Sequence, residues 1–530
     1  MVSVMTCVRV KCPSFFPYDH GEGTSQAVRA SRIHRESFFI RSRRSIAFVT
    51  RRSMRGATFA RLDALSVAAR RRGAIGHGRE TKAWRATRAN GARETGNVDA
   101  TRARPEKGKM IDVLPPKGTR DFPPEDMRAR TWLFAHFREC ARMFGFEEFD
   151  APVLENEELF TRKAGEEICG QLYNFIDKGE RRVALRPELT PSLARLILAQ
   201  GKALALPAKW FAVGQCWRYE RMTRGRRREH YQWNMDIIGV SGVEAEAELL
   251  AAITTFFKRV GVTSADVGIK VSSRKLLSEV LNRFDIDGEN FAPVCVVVDK
   301  IEKLPREKIV EELRELGVKE DAVEGILAAT SMRSVEELEA LIGPDAEAVK
   351  DLKTLFEHAE AYGYRDWLVF DACVVRGLAY YTGIVFEGFD RKGELRAICG
   401  GGRYDKLLGA LGGEEIPMVG FGFGDAVIVE LLKDKGLMPD FSKGAVQDLV
   451  FPLSEALRPA AMSIAAKLRD AGRSVDLVLE DKKAKWAFKQ AERAGAERVV
   501  IVGEKEWAAG AVRVKNLESR EEFDVKVSDL

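Results

Sequence analysis

FAVGQCWRYERMTRGRRREHYQWNMDIIG, residues 211–239, is the stretch from which the rest of the chain is read. Its two ends alternate apolar and polar residues, the period of antiparallel strands with one buried face. Arg221, Arg224, Arg226, Arg227 and Arg228 fall in the loop between them. Arg218 and Glu220 are placed late on the first strand, Gln232 and Asp236 on the second. The last two are four residues apart, so they share one face of the sheet. Five arginines in eight residues also describe a solvated basic turn. Arg218 counts against that reading, because it belongs to the strand pattern and a guanidinium held there needs an anionic partner. A cationic tip beside polar groups on an otherwise apolar face points to a pocket for a polyanion next to a small polar ligand.

The chain has 530 residues, room for two to four domains, with 45% apolar and 31% charged residues, the balance of a soluble globular protein. No apolar run approaches the roughly 20 residues that span a bilayer. The net charge of +6 hides an asymmetry. Residues 1–109 hold 24 of the 85 Lys and Arg but 8 of the 79 Asp and Glu, or +16, which leaves −10 for the remainder. Nucleic-acid contact by the acidic remainder must then come from local basic patches such as the hairpin tip. Residues 1–109 are rich in Arg, Ser and Ala and poor in acids, the composition of a disordered mitochondrial or chloroplast transit peptide. A basic nucleic-acid-binding arm and a start codon placed too early are the alternatives. The eight cysteines include no C-x-x-C pair and none at zinc-finger spacing from a histidine, so inert thiols in a reducing compartment are expected, with no metal held by side chains.

In chain order, PPKGTRDFPPEDM (115–127) leads into a helix over 126–143, stopped by Gly145. A strand over 146–152 ends at a proline. A helix over 155–164, strands around 173–175 and 183–185, and the segment LRPELTPS (185–192) with a helix from Thr190 to Gln200 follow. After the hairpin come a helix over 245–260 and a strand over 268–272. Residues 275–365 read as a helical insertion, the alternative being more of the core. Strand patterns resume at 367–370 and continue through VVRGLAYYTGIVFEGF (374–389), GELRAICGGGRYDKLLGAL (393–411) and MVGFGFGDAVIVELL (418–432). Beyond a linker at 439–444, strands at 449–452, 474–479, 498–502 and 512–515 alternate with helices at 457–471, 482–494 and 504–508, a small α/β domain with a mostly parallel sheet.

LRPELT, RYE (218–220), YQ (231–232), RGLAYY (376–381) and GGRYD (401–405), in this order, resemble a histidyl-tRNA synthetase of aminoacyl-tRNA synthetase class II, over residues 115–530. The resemblance implies an α+β fold. A class II catalytic core, an antiparallel sheet flanked by helices, would occupy 114–435 and carry the insertion at 275–365, and an α/β anticodon-binding domain would occupy 446–530. It implies ligation of L-histidine to tRNA(His) through a histidyl-adenylate, with ATP and Mg2+, contacts to the acceptor end and anticodon, a homodimer built partly on the segment ending at Pro152, and no membrane.

The resemblance also assigns residues. Glu188, Thr190 and Gln232 would hold the α-amino group of histidine, and Leu189 would also belong to the histidine-binding set. Asp236 and Tyr381 would bind the imidazole, with Tyr380 and Tyr404 lining the pocket. Arg218 would bind the α-phosphate of ATP, Glu220 and His230 the adenine side, and Arg226 the terminal phosphates. Arg376 would bridge the histidine carboxylate and the α-phosphate. The chemistry asks for such groups: a carboxylate attacks a phosphate that is already charged, and guanidiniums stabilise planar oxyanions without deprotonating. Three departures stand out. Asp425 and Ala426 occupy the positions where the family carries an acid and an arginine, His230 replaces an aromatic residue, and Ala379 replaces an acid. They fit a plant or algal organellar branch. A non-catalytic synthetase-like sensor of histidine or tRNA, and a class II synthetase for proline or threonine, are the rival readings.

Overall fold

The computed structural model describes residues 110–530 except 163–168, 285, 287, 299, 302–303, 375–379 and 445. Arg376 and Ala379 therefore lie outside the described residues. Strands β1 (Glu147–Glu148), β5 (Ala208–Trp217), β6 (Glu229–Ile238), β7 (Val267–Ser273), β8 (Leu368–Phe370), β9 (Ile384–Asp390), β10 (Cys399–Arg403) and β11 (Met418–Gly424) form one sheet in the order β1-β5-β6-β11-β10-β9-β7-β8. Its pairings are antiparallel except at the two edges, β1 with β5 and β7 with β8. A smaller sheet has the order β2 (Leu154–Asn156), β4 (Arg182–Leu185), β3 (Tyr173–Ile176).

The hairpin pairs in full register from Ala208–Ile238 to Trp217–Glu229. Strand β5 ends at Trp217, one residue before Arg218. The ladder still reaches that residue, as its N–H donates to Arg228 O at 2.8 Å. Odd-numbered residues of β6, Trp233, Met235 and Ile237, face the main core. There Trp233 stacks on Phe137 of the helix Pro124–Met143, centroids 4.8 Å apart, and Phe423 meets Phe256 of the helix Glu244–Arg259 edge-on at 5.1 Å. Such pairs add about 0.5–1.5 kcal/mol each beyond the area they bury.

Three expected elements differ. The strand over 146–152 shrinks to Glu147–Glu148, and the helix over 155–164 becomes β2 and a single turn, Glu158–Thr161. The helical stretch 275–365 divides: residues from Leu281 to Leu327 share a core of their own, whereas Ala329 to Ala359 pack into the core beneath the main sheet. The C-terminal sheet, β13 (Val475–Leu477), β12 (Asp448–Pro452), β14 (Arg498–Val502), β15 (Ala511–Asn516), β16 (Glu522–Lys526), is half parallel rather than mostly so. Residues 503–510 are too few for the crossover of a dozen or more that a parallel return needs.

Two motif arginines are structural. Arg403, of GGRYD, donates to Glu246 through Nε and Nη2 (2.7 and 2.6 Å), and both side chains are buried. Removing one partner of such a pair costs about 3–5 kcal/mol. Arg186, of LRPELT, is buried and donates to Gln215 O at 2.8 Å and Ala151 O at 2.6 Å, tying the 185–192 segment to the hairpin.

Candidate active site

The face of the sheet opposite the aromatic core is hollow because its side chains are missing. Register sets Gly420 beside Asp236, Gly422 beside Asn234 and Gly424 beside Gln232, while Gly400 and Gly402 of β10 sit beside Gly422 and Gly420. Glycines at every second position thus face a row of polar residues on β6. A Cβ on Gly422 would meet nothing nearer than 3.7 Å, so the space above it is open. The result is a cavity of about 220 Å3.

Ten expected site residues line it: Glu188, Thr190, Arg218, Glu220, Arg226, His230, Gln232, Tyr380, Tyr381 and Tyr404. Glu188 and Thr190 stand at the start of the helix Thr190–Gln200, with Pro191 in its first turn, where an absent N–H is harmless. Tyr380 OH donates to Glu188 Oε2 at 3.1 Å. Arg218 Nε donates to Pro187 O at 2.9 Å, so the segment carrying Glu188 also aims Arg218. Arg226 pairs with Glu220, and Arg228 Nε donates to Glu220 O at 3.3 Å. Gly225, at φ +71°, lets the tip turn back at this point.

Two expected residues do not line the cavity. Leu189 is fully buried with Ala212 and Cys216 beneath the hairpin, as an apolar side chain next to a strand should be. Asp236 lies one layer down, only 1% exposed, and accepts a hydrogen bond from Tyr404 OH on Oδ1. The tyrosine is what lines the cavity above it. Burial pushes Asp236 up to about 7, Glu188 adds to this and the Tyr404 hydrogen bond opposes it. His230 is held down to about 3, first by burial and then by the charges of Arg218, Arg120 and Arg226, so it is neutral at working pH. Burial likewise raises Tyr380 and Tyr404 well above the ordinary phenol range, which keeps both as donors.

Asp425 begins the helix Asp425–Asp434 and faces away from ligand duty. It accepts from Tyr231 N at 2.9 Å and pairs with Arg120 at 3.0 Å. Ala426 is on the cavity wall.

The arrangement suits two anions meeting beside a small polar ligand, and the family comparison decides whose it is. Residues 118–425 match the family model described as histidyl-tRNA synthetase, and residues 447–530 match the anticodon binding domain. The chain belongs to the histidyl-tRNA synthetase family. It is 61% identical over 443 residues to the histidine–tRNA ligase, chloroplastic/mitochondrial, of Arabidopsis thaliana, covering 83% of this chain and 91% of that one. It is 40% identical to the histidine–tRNA ligase of Opitutus terrae, covering 77% and 94%. The crystal structure of histidyl-tRNA synthetase from Nostoc sp. superposes with a TM-score of 0.65 at 25% identity, over 79% of this chain and 98% of that one.

Some wall residues of this synthetase are given no site role by the sequence: Asn234, Arg227 and Arg396 among them. Asn234 was findable, since it shares the even spacing of Gln232 and Asp236. Arg227 is one of five similar arginines, and Arg396 precedes a strand without belonging to its pattern. The glycine floor gives a direct test. Gly422→Val fits the fold but fills the space above it, so histidine binding measured by calorimetry should weaken at least about tenfold while the melting temperature stays near wild type. Undiminished binding would mean that the ligand does not sit on β11.

Proposed function

We propose that this synthetase activates L-histidine with MgATP in the glycine-floored cavity and passes the histidyl group to tRNA(His). In the first step a carboxylate oxygen of histidine attacks the α-phosphorus and diphosphate leaves. In the second, a terminal ribose hydroxyl of the tRNA attacks the acyl carbon and AMP leaves. The protein's task is to position the reactants and to neutralise charge that builds on the α-phosphate oxygens. The observation that supports this reading best is that Arg218 shares one cavity wall with Glu188, Gln232 and the Tyr380–Tyr404 pair. Arg218 would bind the α-phosphate and Arg226 the terminal phosphates. Arg376, assigned by motif, would bridge carboxylate and phosphate.

Glu188 and Glu220 are the wall carboxylates among the described residues, and each is already engaged, with Tyr380 and Arg226 respectively. The described residues offer no group of three or more His, Cys, Asp or Glu to hold a metal. Mg2+ is therefore treated as part of the substrate, held by the phosphates and water.

Histidine-dependent ATP–pyrophosphate exchange tests the reading. Exchange with histidine alone from a panel including proline and threonine supports it; a folded protein without exchange favours the sensor. Residues 447–530 would read the anticodon, residues 1–109 would direct import into mitochondrion, chloroplast or both, and the working form would be a homodimer. Deleting 446–530 should reduce tRNA charging at least about tenfold, the equivalent of about 1.4 kcal/mol of lost RNA contact, with exchange little changed. The cores on either side of the cut are separate, Leu449 to Val514 on one side and Leu133 to Leu432 on the other. Equal loss in both assays would argue against an anticodon role.

A further inference from the structure

We propose that Asn234 accepts a hydrogen bond from the α-ammonium of histidine and so helps the cavity select an amino acid over its deaminated analogue. The proposal rests on the ligase reading and adds a residue to it. Asn234 lies near the middle of β6, between Gln232 and Asp236 on one face of the sheet. Its cross-strand neighbours bring no polar side chain: the register sets Ala212 of β5 on one side and Gly422 of β11 on the other. The residue is 3% exposed and lines the cavity. Its Oδ1 is buried and makes no hydrogen bond to the described residues.

A buried amide oxygen without a partner is a cost to the folded chain. Beside an alanine and a glycine an apolar residue would pack without that cost, so a ligand is needed to account for the amide. The geometry indicates which ligand group. A Cβ built on Gly422 would lie 3.7 Å from Asn234 Nδ2, 3.8 Å from Asn234 Oδ1 and 3.7 Å from Gln232 Oε1. The two side-chain oxygens thus flank one open point on the glycine floor. Cys216 Sγ donates to Gln232 Oε1 at 3.6 Å, and a carbonyl oxygen can accept a second bond. Glu188 adds a carboxylate to the cavity wall. Oxygens gathered in this way call for a cation rich in donors, and an ammonium carries three N–H donors and no acceptor. The α-ammonium of histidine is the group of that kind in the reaction, since Mg2+ stays with the phosphates and the imidazole is read beside Tyr404.

The test uses the full-length protein and calorimetry with three ligands. Histidine and histidinol carry the α-ammonium, whereas imidazolepropionate is histidine without it. Asn234→Ala should weaken histidine and histidinol about tenfold each, the scale of one hydrogen bond to a charged group, and leave imidazolepropionate unchanged. The KM for ATP in pyrophosphate exchange should stay at the wild-type value. The melting temperature without ligand should not fall, because the variant removes a buried oxygen that has no partner among the described residues. Asn234→Asp, which keeps an oxygen at this place, should recover most of the lost affinity. Unchanged histidine affinity in Asn234→Ala would overturn the proposal. So would an equal loss for imidazolepropionate, the mark of an altered cavity shape. Calorimetry reads binding without turnover, so the two readings fail separately. A wild type that binds histidine but shows no exchange would sink the ligase reading while still testing Asn234.

Discussion

Arg218→Ala is expected to lower histidine-dependent pyrophosphate exchange by about 10²–10³-fold, the range seen when one preorganised donor to a developing oxyanion is lost. The fold should survive. Among the described residues the side chain makes one hydrogen bond, Nε to Pro187 O at 2.9 Å, and losing a bond of this kind costs about 1 kcal/mol. The large effect arises because that bond leaves the arginine fixed in a wall where no water need reorganise when charge builds on phosphorus. Arg218→Lys should recover little, since an ammonium cannot present two parallel donors to a phosphate. The check is kcat for exchange set beside the melting temperature. A comparable fall in both would make Arg218 a structural residue.

Asp236→Asn should make the enzyme use histidine about 100-fold less well, or about 2.7 kcal/mol, within the about 1–3 kcal/mol that mispairing a buried hydrogen-bonding group costs. Asp236 accepts from Tyr404, which lines the cavity, so on the proposed reading the carboxylate would set how the tyrosine presents its hydroxyl to an imidazole. Its Oδ2 is buried and makes no hydrogen bond to the described residues. The same substitution has an opposite effect on stability. With its pKa raised to about 7 from an ordinary 3.8, Asp236 holds a proton in the folded state that the unfolded chain gives up. The contribution to stability is therefore full below the unfolded value and is lost as pH rises through about 7. At pH 8 the variant should be more stable than wild type by at least about 1.4 kcal/mol, and the gap should narrow towards pH 5 and close only below the ordinary value of 3.8. Thermal melts at the two pH values read this directly. A variant less stable than wild type at pH 8 would show that the charged carboxylate is held by a partner.

Much of the site was legible because a β-strand has period two. The even-numbered polar residues of β6 and the alternating glycines of GFGFG say that one face is crowded and the other bare. What spacing does not reveal is depth. Asp236 and Gln232 share a face, yet Gln232 reaches the cavity and Asp236 stops beneath Tyr404. Nor do motif arginines declare their partners: Arg186 and Arg403 look like Arg218 in the sequence, but carbonyls and Glu246 take them out of the site. Amphipathic helices show that a face is buried without saying against what, which is why the stretch 275–365 reads as one insertion although half of it joins the main core. The C-terminal sheet turns antiparallel where the last helix is too short to cross over, and its final strand, EFDVK, is an exposed edge with little apolar pattern.

A crystal structure with a non-hydrolysable sulfamoyl analogue of histidyl-adenylate tests the central claim most directly. The account predicts the analogue on the glycine floor of β10 and β11. Its phosphate mimic should lie within about 3 Å of the Arg218 guanidinium, and its imidazole beside Tyr404 above Asp236. An analogue bound elsewhere, or an Arg218 turned away from it towards solvent, would contradict the account.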